Sequence, residues 1–314
     1  MNFDTALNWT AIGLLAVAFT ARLVMVQTHR HQEKMVFTFS QRVGLPVGSE
    51  QIHATLVRRL RSSANAALLG GMAGALAASG WYVAAGISGL PLTFVWLVAM
   101  PAILVGVTAF DVALAVRDSL FGRQADGLRI ARLEVVGRGD YLSPVRLWTA
   151  PVLLGLAAAL VVADLVLGGS LEGGAAGFVR GAVLPLLVAA AILVVLCAVV
   201  AGKILERPQR AANKLELAWD DAARADALRK LGLLASVVAW LAASGAVLSM
   251  LNGIDAARPG TTGNSVGEWV SVWGYYVIVF LYSYGGAYTW FRRRLWPNPA
   301  ELGRGSLAAG PALP

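Results

Sequence analysis

The chain has 314 residues, of which 57% are apolar and only 14% are charged, and its formal net charge is +8 at pH 7. Soluble domains carry roughly 25% charged residues, so the composition excludes an ordinary soluble globular protein. Cys197 is the single cysteine, which excludes an intrachain disulfide framework and a multi-cysteine metal site. Its apolar surroundings predict a packing residue within a helix.

Seven apolar segments follow one another along the chain, and each is long enough to cross about 30 Å of hydrocarbon as a helix. The predicted spans are 9–27, 66–86, 92–110, 148–167, 178–202, 231–251 and 268–291. A helix is required because lipid offers the backbone no hydrogen-bond partners. The sequence therefore predicts an all-α integral membrane protein, with residues 1–314 forming a single multi-pass domain.

The basic residues predict the orientation of this bundle. All but two of the 26 lysines and arginines fall on one side of the bundle, on alternate connections, on the C-terminal segment or, for Arg22, just inside the end of the first span; the exceptions are Arg180 and Arg258. The positive-inside rule places those connections in the cytoplasm, the N-terminus outside and the C-terminus inside. The first span has its first basic residue, Arg22, after the apolar stretch, which is typical of an uncleaved anchor rather than of a secretory signal.

The remaining six spans then form three helical hairpins. The second span carries Gly70, Gly74 and Ala78 at intervals of four, a pattern that lets helix backbones approach closely. This favours packing within the chain, with an oligomer contact as the alternative. Residues 68–80 and 233–245 resemble each other, so a weak internal repeat of the hairpins is one interpretation. The abundance of Arg, Ala and Gly favours a GC-rich bacterial genome, and hence the bacterial cytoplasmic membrane.

An arginine triplet lies between two tryptophans at the end of the seventh span. We interpret these five residues as anchors at the lipid interface, where aromatic rings and cations collect at headgroup depth: Trp290, Arg292, Arg293, Arg294 and Trp296. A more specific contact with anionic headgroups is the alternative. Nucleic-acid binding is not expected, because the positive charge is explained by topology and no binding motif accompanies it.

Few ionisable or hydroxyl-bearing side chains lie within the spans. Asp111 ends the third span, and Asp164 lies near the outer end of the fourth. Tyr282 and Tyr284 lie deep in the seventh, beside a Gly285-Gly286 interruption. Such groups are costly in lipid and often mark a solute pathway. One hypothesis is that these four residues line a cavity for a solute or lipid; the alternative is that they pack or reach the interface.

The segment 213–232 is predicted to form a cytoplasmic helix that continues into the sixth span. Asp220 with Arg224 and Asp226 with Lys230 are acid-before-base pairs at the favourable spacing of four. An apolar face carries Leu215, Trp219 and Ala222. This face is a candidate docking surface for a cytoplasmic partner; the alternative is a stalk covered by its own neighbours.

Catalytic and metal-binding patterns are weak throughout. His29 and His31 are two residues apart, and Glu33 or His53 would have to complete a metal site. No nucleophile–base pair and no phosphate loop is evident, so no catalytic residue, metal or cofactor is predicted.

Two functions therefore compete. The first is a non-catalytic accessory, scaffold or regulatory membrane subunit that acts through a cytoplasmic or membrane partner, or through a second copy of the chain. The alternative is a small-solute or lipid transporter, supported by the hint of repeats and by the tyrosines of the seventh span. An intramembrane enzyme is a third interpretation, which requires polar groups clustered at one depth.

Overall fold

A computed structural model describes residues 17–84, 98–121, 136–167, 183–209, 211, 213–257, 263–284, 286 and 288–297. Within these ranges the regular structure is helical and no strand occurs. The helices are α1 (Val17–Gln27), α2 (His29–Val43), α3 (Glu50–Ala84), α4 (Met100–Phe121), α5 (Arg138–Tyr141), α6 (Pro144–Leu167), α7 (Leu184–Glu206), α8 (Lys214–Ala257), α9 (Gly263–Ser283) and α10 (Trp290–Leu295). The all-helical class predicted from the sequence is confirmed.

Four of the described helices, α4, α6, α7 and α8, are long and apolar enough to cross a membrane. The count of seven spans is not confirmed. The predicted span 66–86 coincides with the second half of α3, which the structure describes as far as Ala84. The starts of the spans at 9, 92 and 178 lie outside the described residues. The hairpin repeat and the orientation stay predictions.

The predicted span 268–291 is not one continuous helix, which corrects the boundary drawn from the sequence. Helix α9 ends at Ser283, and the short helix α10 begins at Trp290. The sequence marked an interruption at Gly285-Gly286, but the structure ends the helix there and starts a new one. The physical reason is that other side chains bind the last carbonyl groups of α9, as described below.

Helix α8 is the centre of the bundle and packs against α4, α6, α7 and α9. Its apolar half presents alanines that are buried on every side, namely Ala235, Ala239, Ala242, Ala243 and Ala246. Small side chains bring neighbouring backbones close together, which is the main route to tight packing between helices in lipid. Cys197 of α7 is buried against this core.

The small residues of α3 face α4. Gly70 lies against the backbone of Gly106, and Gly74 lies against the backbone of Ala102, with no room for a Cβ atom at Gly70, Gly74 or Gly106. Ala78, one step further along the pattern, is also buried. The pattern of small residues at 70 and 74 therefore packs two helices of one chain, as the sequence predicted.

Gly74→Val is expected to separate α3 from α4, because the added side chain meets the carbonyl of Ala102 rather than a flexible group. Overpacking of this kind costs about 1–3 kcal/mol, so the unfolding temperature in detergent should fall. Gly80→Val on the same helix is the matched control, since nothing lies within 4 Å of a Cβ placed there. Equal unfolding temperatures for the two variants would contradict the close contact.

Candidate functional site

Several helices continue beyond their apolar segments and pack together at one end of the bundle. We call this part the charged end; it comprises residues 29–65, 111–121, 138–146, 203–230 (without 210 and 212) and 288–296. The Arg59 side chain donates to the carbonyl of Ala223 at 3.0 Å, and the Arg224 side chain donates to the carbonyl of Arg207 at 2.7 Å. Segments predicted to be separate cytoplasmic connections thus form one packed helical layer.

A buried charge network formed by Asp111, Asp226, Arg229 and Lys230 lies where this layer meets the apolar bundle. The Lys230 ammonium group donates to Asp111 Oδ1 at 2.8 Å and to Ser63 Oγ at 2.9 Å, and it lies 3.0 Å from Asp226 Oδ2. Ser63 Oγ also donates to Asp111 Oδ1 at 2.6 Å. An ammonium group has three donors, so the lysine is fully used in joining α3, α4 and α8.

Arg229 connects the network to the end of α9 and to Tyr288, which lies between α9 and α10. Its guanidinium lies 2.8 Å from Asp226 Oδ1, donates to the carbonyl of Tyr282 at 3.1 Å and lies 4.7 Å from the centre of the Tyr288 ring. The side chains of Asp226, Arg229 and Lys230 are only 10–11% exposed. Two carboxylates balance two cations, which is the condition under which buried charges are tolerated.

Asp226 lies before the apolar segment 231–251, in the polar part of α8. Burial raises the pKa of its carboxyl, but Lys230 and Arg229 outweigh burial and hold that pKa well below its usual range. The carboxylate therefore stays ionised at neutral pH. Chemically, the network is a closed set of ion pairs that fixes helices to one another, and it leaves Asp226 poorly suited to accept a proton.

Two arginines bind the end of α9. Arg146 donates to the carbonyls of Leu281 at 3.0 Å and Tyr284 at 3.3 Å, while Arg229 binds that of Tyr282. The last carbonyls of a helix lack partners within the helix and carry partial negative charge, so cations are stabilising there. The Tyr282 hydroxyl donates to the carbonyl of Arg146 at 2.8 Å and lies 3.1 Å from Ser236 Oγ. These contacts account for the end of the helix at this point.

The structure does not bring the four predicted cavity residues together. Tyr282 is completely buried in the core, whereas Tyr284 is 62% exposed and stacks on Phe280. Asp111 belongs to the buried charge network. Asp164 is buried near the opposite end of α6, and its Oδ2 atom has no hydrogen-bond partner among the described residues. A single cavity lined by these four residues is therefore not present in the described structure.

A different apolar groove lies between α4 and α9. Its volume is about 240 Å³, and its lining includes Met100, Ile103, Val107, Tyr275 and Tyr276. The tyrosines in this lining are Tyr275 and Tyr276, not the predicted Tyr282 and Tyr284. An apolar chain is the kind of ligand that such a lining accepts.

The predicted docking face on α8 is internal. Leu215, Trp219 and Ala222 are 4%, 7% and 2% exposed. The Trp219 ring stacks on the ring of Phe39 of α2, with 6.1 Å between the ring centres. The indole N–H of Trp219 donates a hydrogen bond to the carbonyl of Pro46 at 3.1 Å. Helix α2 and the turn after it cover this face within the chain, which is the arrangement that the alternative of a stalk covered by its own neighbours describes.

Most of the predicted lipid anchors bind the protein itself. Trp290 donates to the carbonyl of Gly139 at 2.9 Å, and Trp296 donates to Asp221 at 2.9 Å. Arg294 lies 3.3 Å from Asp140, Arg292 donates to the carbonyl of Gly44 at 3.4 Å, and Arg293 is exposed. Between them Phe291 is buried. Helix α10 is thus a docked part of the charged end, and a role at the lipid surface stays a prediction.

Sequence reasoning missed Asp221, which is completely buried. Its carboxylate accepts hydrogen bonds from Tyr141 at 2.8 Å, Gln209 at 2.6 Å and Trp296 at 2.9 Å. These donors come from three segments that are distant in the sequence. The neighbouring Asp220 forms the predicted ion pair with Arg224 at 3.2 Å, and the pair of Asp226 with Lys230 is also confirmed.

Two of the three histidines, His29 and His53, lie beside Glu33. His53 is 3.3 Å from Glu33, and His29 is 3.6 Å from the other carboxylate oxygen. In the part of the chain that the structure describes, no group of three or more His, Cys, Asp or Glu side chains is arranged to hold a metal ion.

Comparison with known proteins gives no match: no family model fits the chain, no curated protein resembles it in sequence, and no solved structure resembles its fold.

Proposed function

We propose that the protein is a non-catalytic, multi-pass protein of the bacterial cytoplasmic membrane that acts as an accessory or scaffold subunit through a partner bound at the charged end. The observation that carries this proposal is the packing of the central helix α8. Its alanines are buried against neighbouring helices in the half where a transporter would need an opening. Its charged residues Asp226, Arg229 and Lys230 form ion pairs with one another and with Asp111 of α4 at one end.

The distribution of basic residues supports a cytoplasmic position for the charged end. This end is a folded layer rather than a set of loose connections, so it offers a partner a fixed surface. Phe37 of α2 is 63% exposed and Phe121 at the end of α4 is 79% exposed. Large exposed aromatic side chains are enriched among residues that anchor protein–protein contacts.

A lipid or small-solute transporter is the second candidate, and one observation favours it. The apolar groove between α4 and α9 has room for an acyl chain and includes Tyr275 and Tyr276. Its position on the side of the bundle suits a ligand that arrives from the bilayer.

Gentle purification of the tagged protein from its native host, followed by mass spectrometry, tests the proposal. We expect one protein to be recovered in stoichiometric amount, and Phe37→Ala/Phe121→Ala to lose it. Phe110→Ala is the matched control, since Phe110 is exposed on the apolar part of α4. Purification of a lone protein that carries a defined lipid or solute would overturn the proposal and favour the transporter.

A further inference from the structure

An open polar groove runs between α2 and α3 on the surface of the charged end. Its volume is about 660 Å³, and its lining includes Gln32, Glu33, His53, Arg58, Arg61 and Asn65. We call it the α2–α3 groove. Neither the packing of the bundle nor the buried charge network accounts for it.

The charges within the groove favour an anion. Glu33 is the only acidic residue among those that line it, and this carboxylate already lies beside His53 and His29. Arg58 and Arg61 are exposed and lie three residues apart on α3. Arg59, between them, turns away and binds the carbonyl of Ala223. Two guanidinium groups side by side suit a phosphate, which they can bind through paired hydrogen bonds.

The groove begins where the apolar helices end. Gln27, the last residue of α1, donates to Asn65 Oδ1 at 3.2 Å, and the apolar part of α3 starts directly after Asn65. If α3 crosses the membrane as the sequence predicts, this contact lies at the boundary between hydrocarbon and water. Phosphate groups of lipids lie at the same depth.

One face of α3 changes from basic to apolar along its length. Arg58, Arg61, Asn65, Leu69 and Leu76 are spaced by three, four, four and seven residues, so they lie on one side of the helix. Leu69 is 50% exposed and Leu76 is 71% exposed. The order of cation, polar group and apolar surface matches the order of groups in an anionic phospholipid.

We propose that the α2–α3 groove binds the phosphate group of an anionic phospholipid, with Arg58 and Arg61 as its ligands and the exposed leucines of α3 against an acyl chain. This site does not depend on a protein partner at the charged end. If the co-purification experiment finds no partner, the lipid site is not affected. If the lipid-binding experiment fails, the proposed accessory role is not affected.

The test uses the purified, delipidated full chain in detergent, with bound lipid counted by native mass spectrometry. Dioleoyl phosphatidylglycerol is expected to bind as one retained molecule, well ahead of dioleoyl phosphatidylcholine. Arg58→Gln/Arg61→Gln should weaken retention roughly 10- to 30-fold, given the contribution of about two cations near an anionic surface. The matched control is Arg30→Gln/Lys34→Gln, which removes two exposed cations of α2 that do not line the groove and should bind like the wild type.

Equal retention of the two lipids by the wild type, or equal weakening by both double variants, would overturn the proposal. A second arm adds glycerol 3-phosphate as a competitor that lacks acyl chains. Failure of this compound to displace the lipid at millimolar concentration supports a lipid ligand. Displacement at micromolar concentration would assign the groove to a free phosphate compound and overturn the lipid assignment.

Discussion

Lys230→Met is expected to be the most destabilising substitution in the buried charge network. It removes the ammonium group that lies between Asp111 and Asp226 and leaves both carboxylates buried without that cation. Breaking a buried ion pair from one side costs about 3–5 kcal/mol. Chemical or thermal unfolding of the purified protein in detergent measures this loss.

Lys203→Met is the control, because Lys203 is exposed near the end of α7. Asp111→Asn combined with Lys230→Met should recover part of the loss, since it removes the carboxylate that has lost its ion pair with Lys230, whereas Asp226 keeps its ion pair with Arg229. Because its neighbours depress the pKa of Asp226, the stability it contributes is present at neutral pH and is lost only as the pH falls through that low pKa. The contribution of Asp226 to the stability of the wild type should thus be the same at pH 6 and pH 8. Equal stability of the two lysine variants would contradict the buried network.

Asp221→Ala is expected to release helix α10 from the charged end. The substitution removes the acceptor of three hydrogen bonds from Tyr141, Gln209 and Trp296. Each buried donor left without an acceptor costs about 1–3 kcal/mol. Local unfolding of α10 should make the backbone at the arginine triplet accessible to a protease, so trypsin should cleave the variant after residues 292–294 faster than it cleaves the wild type.

Asp220→Ala is the control for this experiment, because Asp220 is the adjacent residue on the same helix but is 43% exposed and pairs with Arg224 of that helix. Trp296→Phe should reproduce part of the effect from the other side of the contact. If Asp221→Ala and Asp220→Ala are cleaved at the same rate, then Asp221 does not hold α10 in place.

Patterns within one helix were the most informative part of the sequence. The intervals of Gly70 and Gly74 predicted a close helix contact, and the structure places α4 there. The spacing of Asp226 and Lys230 predicted an ion pair, and the pair is present. Each of these inferences needs only the geometry of a single helix, which residue spacing determines.

What covers a face could not be predicted in the same way. The structure has the predicted apolar face with Trp219, but α2 and the turn at Pro46 cover this face. Those covering segments lie more than 170 residues earlier in the sequence. Asp111 appeared to be an interfacial carboxylate because its partner Lys230 is 119 residues away. Asp221 could not be told apart from the half-exposed Asp220 beside it, because its partners Tyr141 and Trp296 lie 80 and 75 residues away in the sequence.

Photo-cross-linking in native membranes tests the central claim, that the protein works through a partner at its charged end. A photoreactive phenylalanine analogue replaces Phe37, Phe121 or, as the control, Phe110, all of which are exposed. We expect the same partner protein to be cross-linked from position 37 or 121, and only lipid to be cross-linked from position 110. Cross-links to lipid alone from all three positions would contradict the claim.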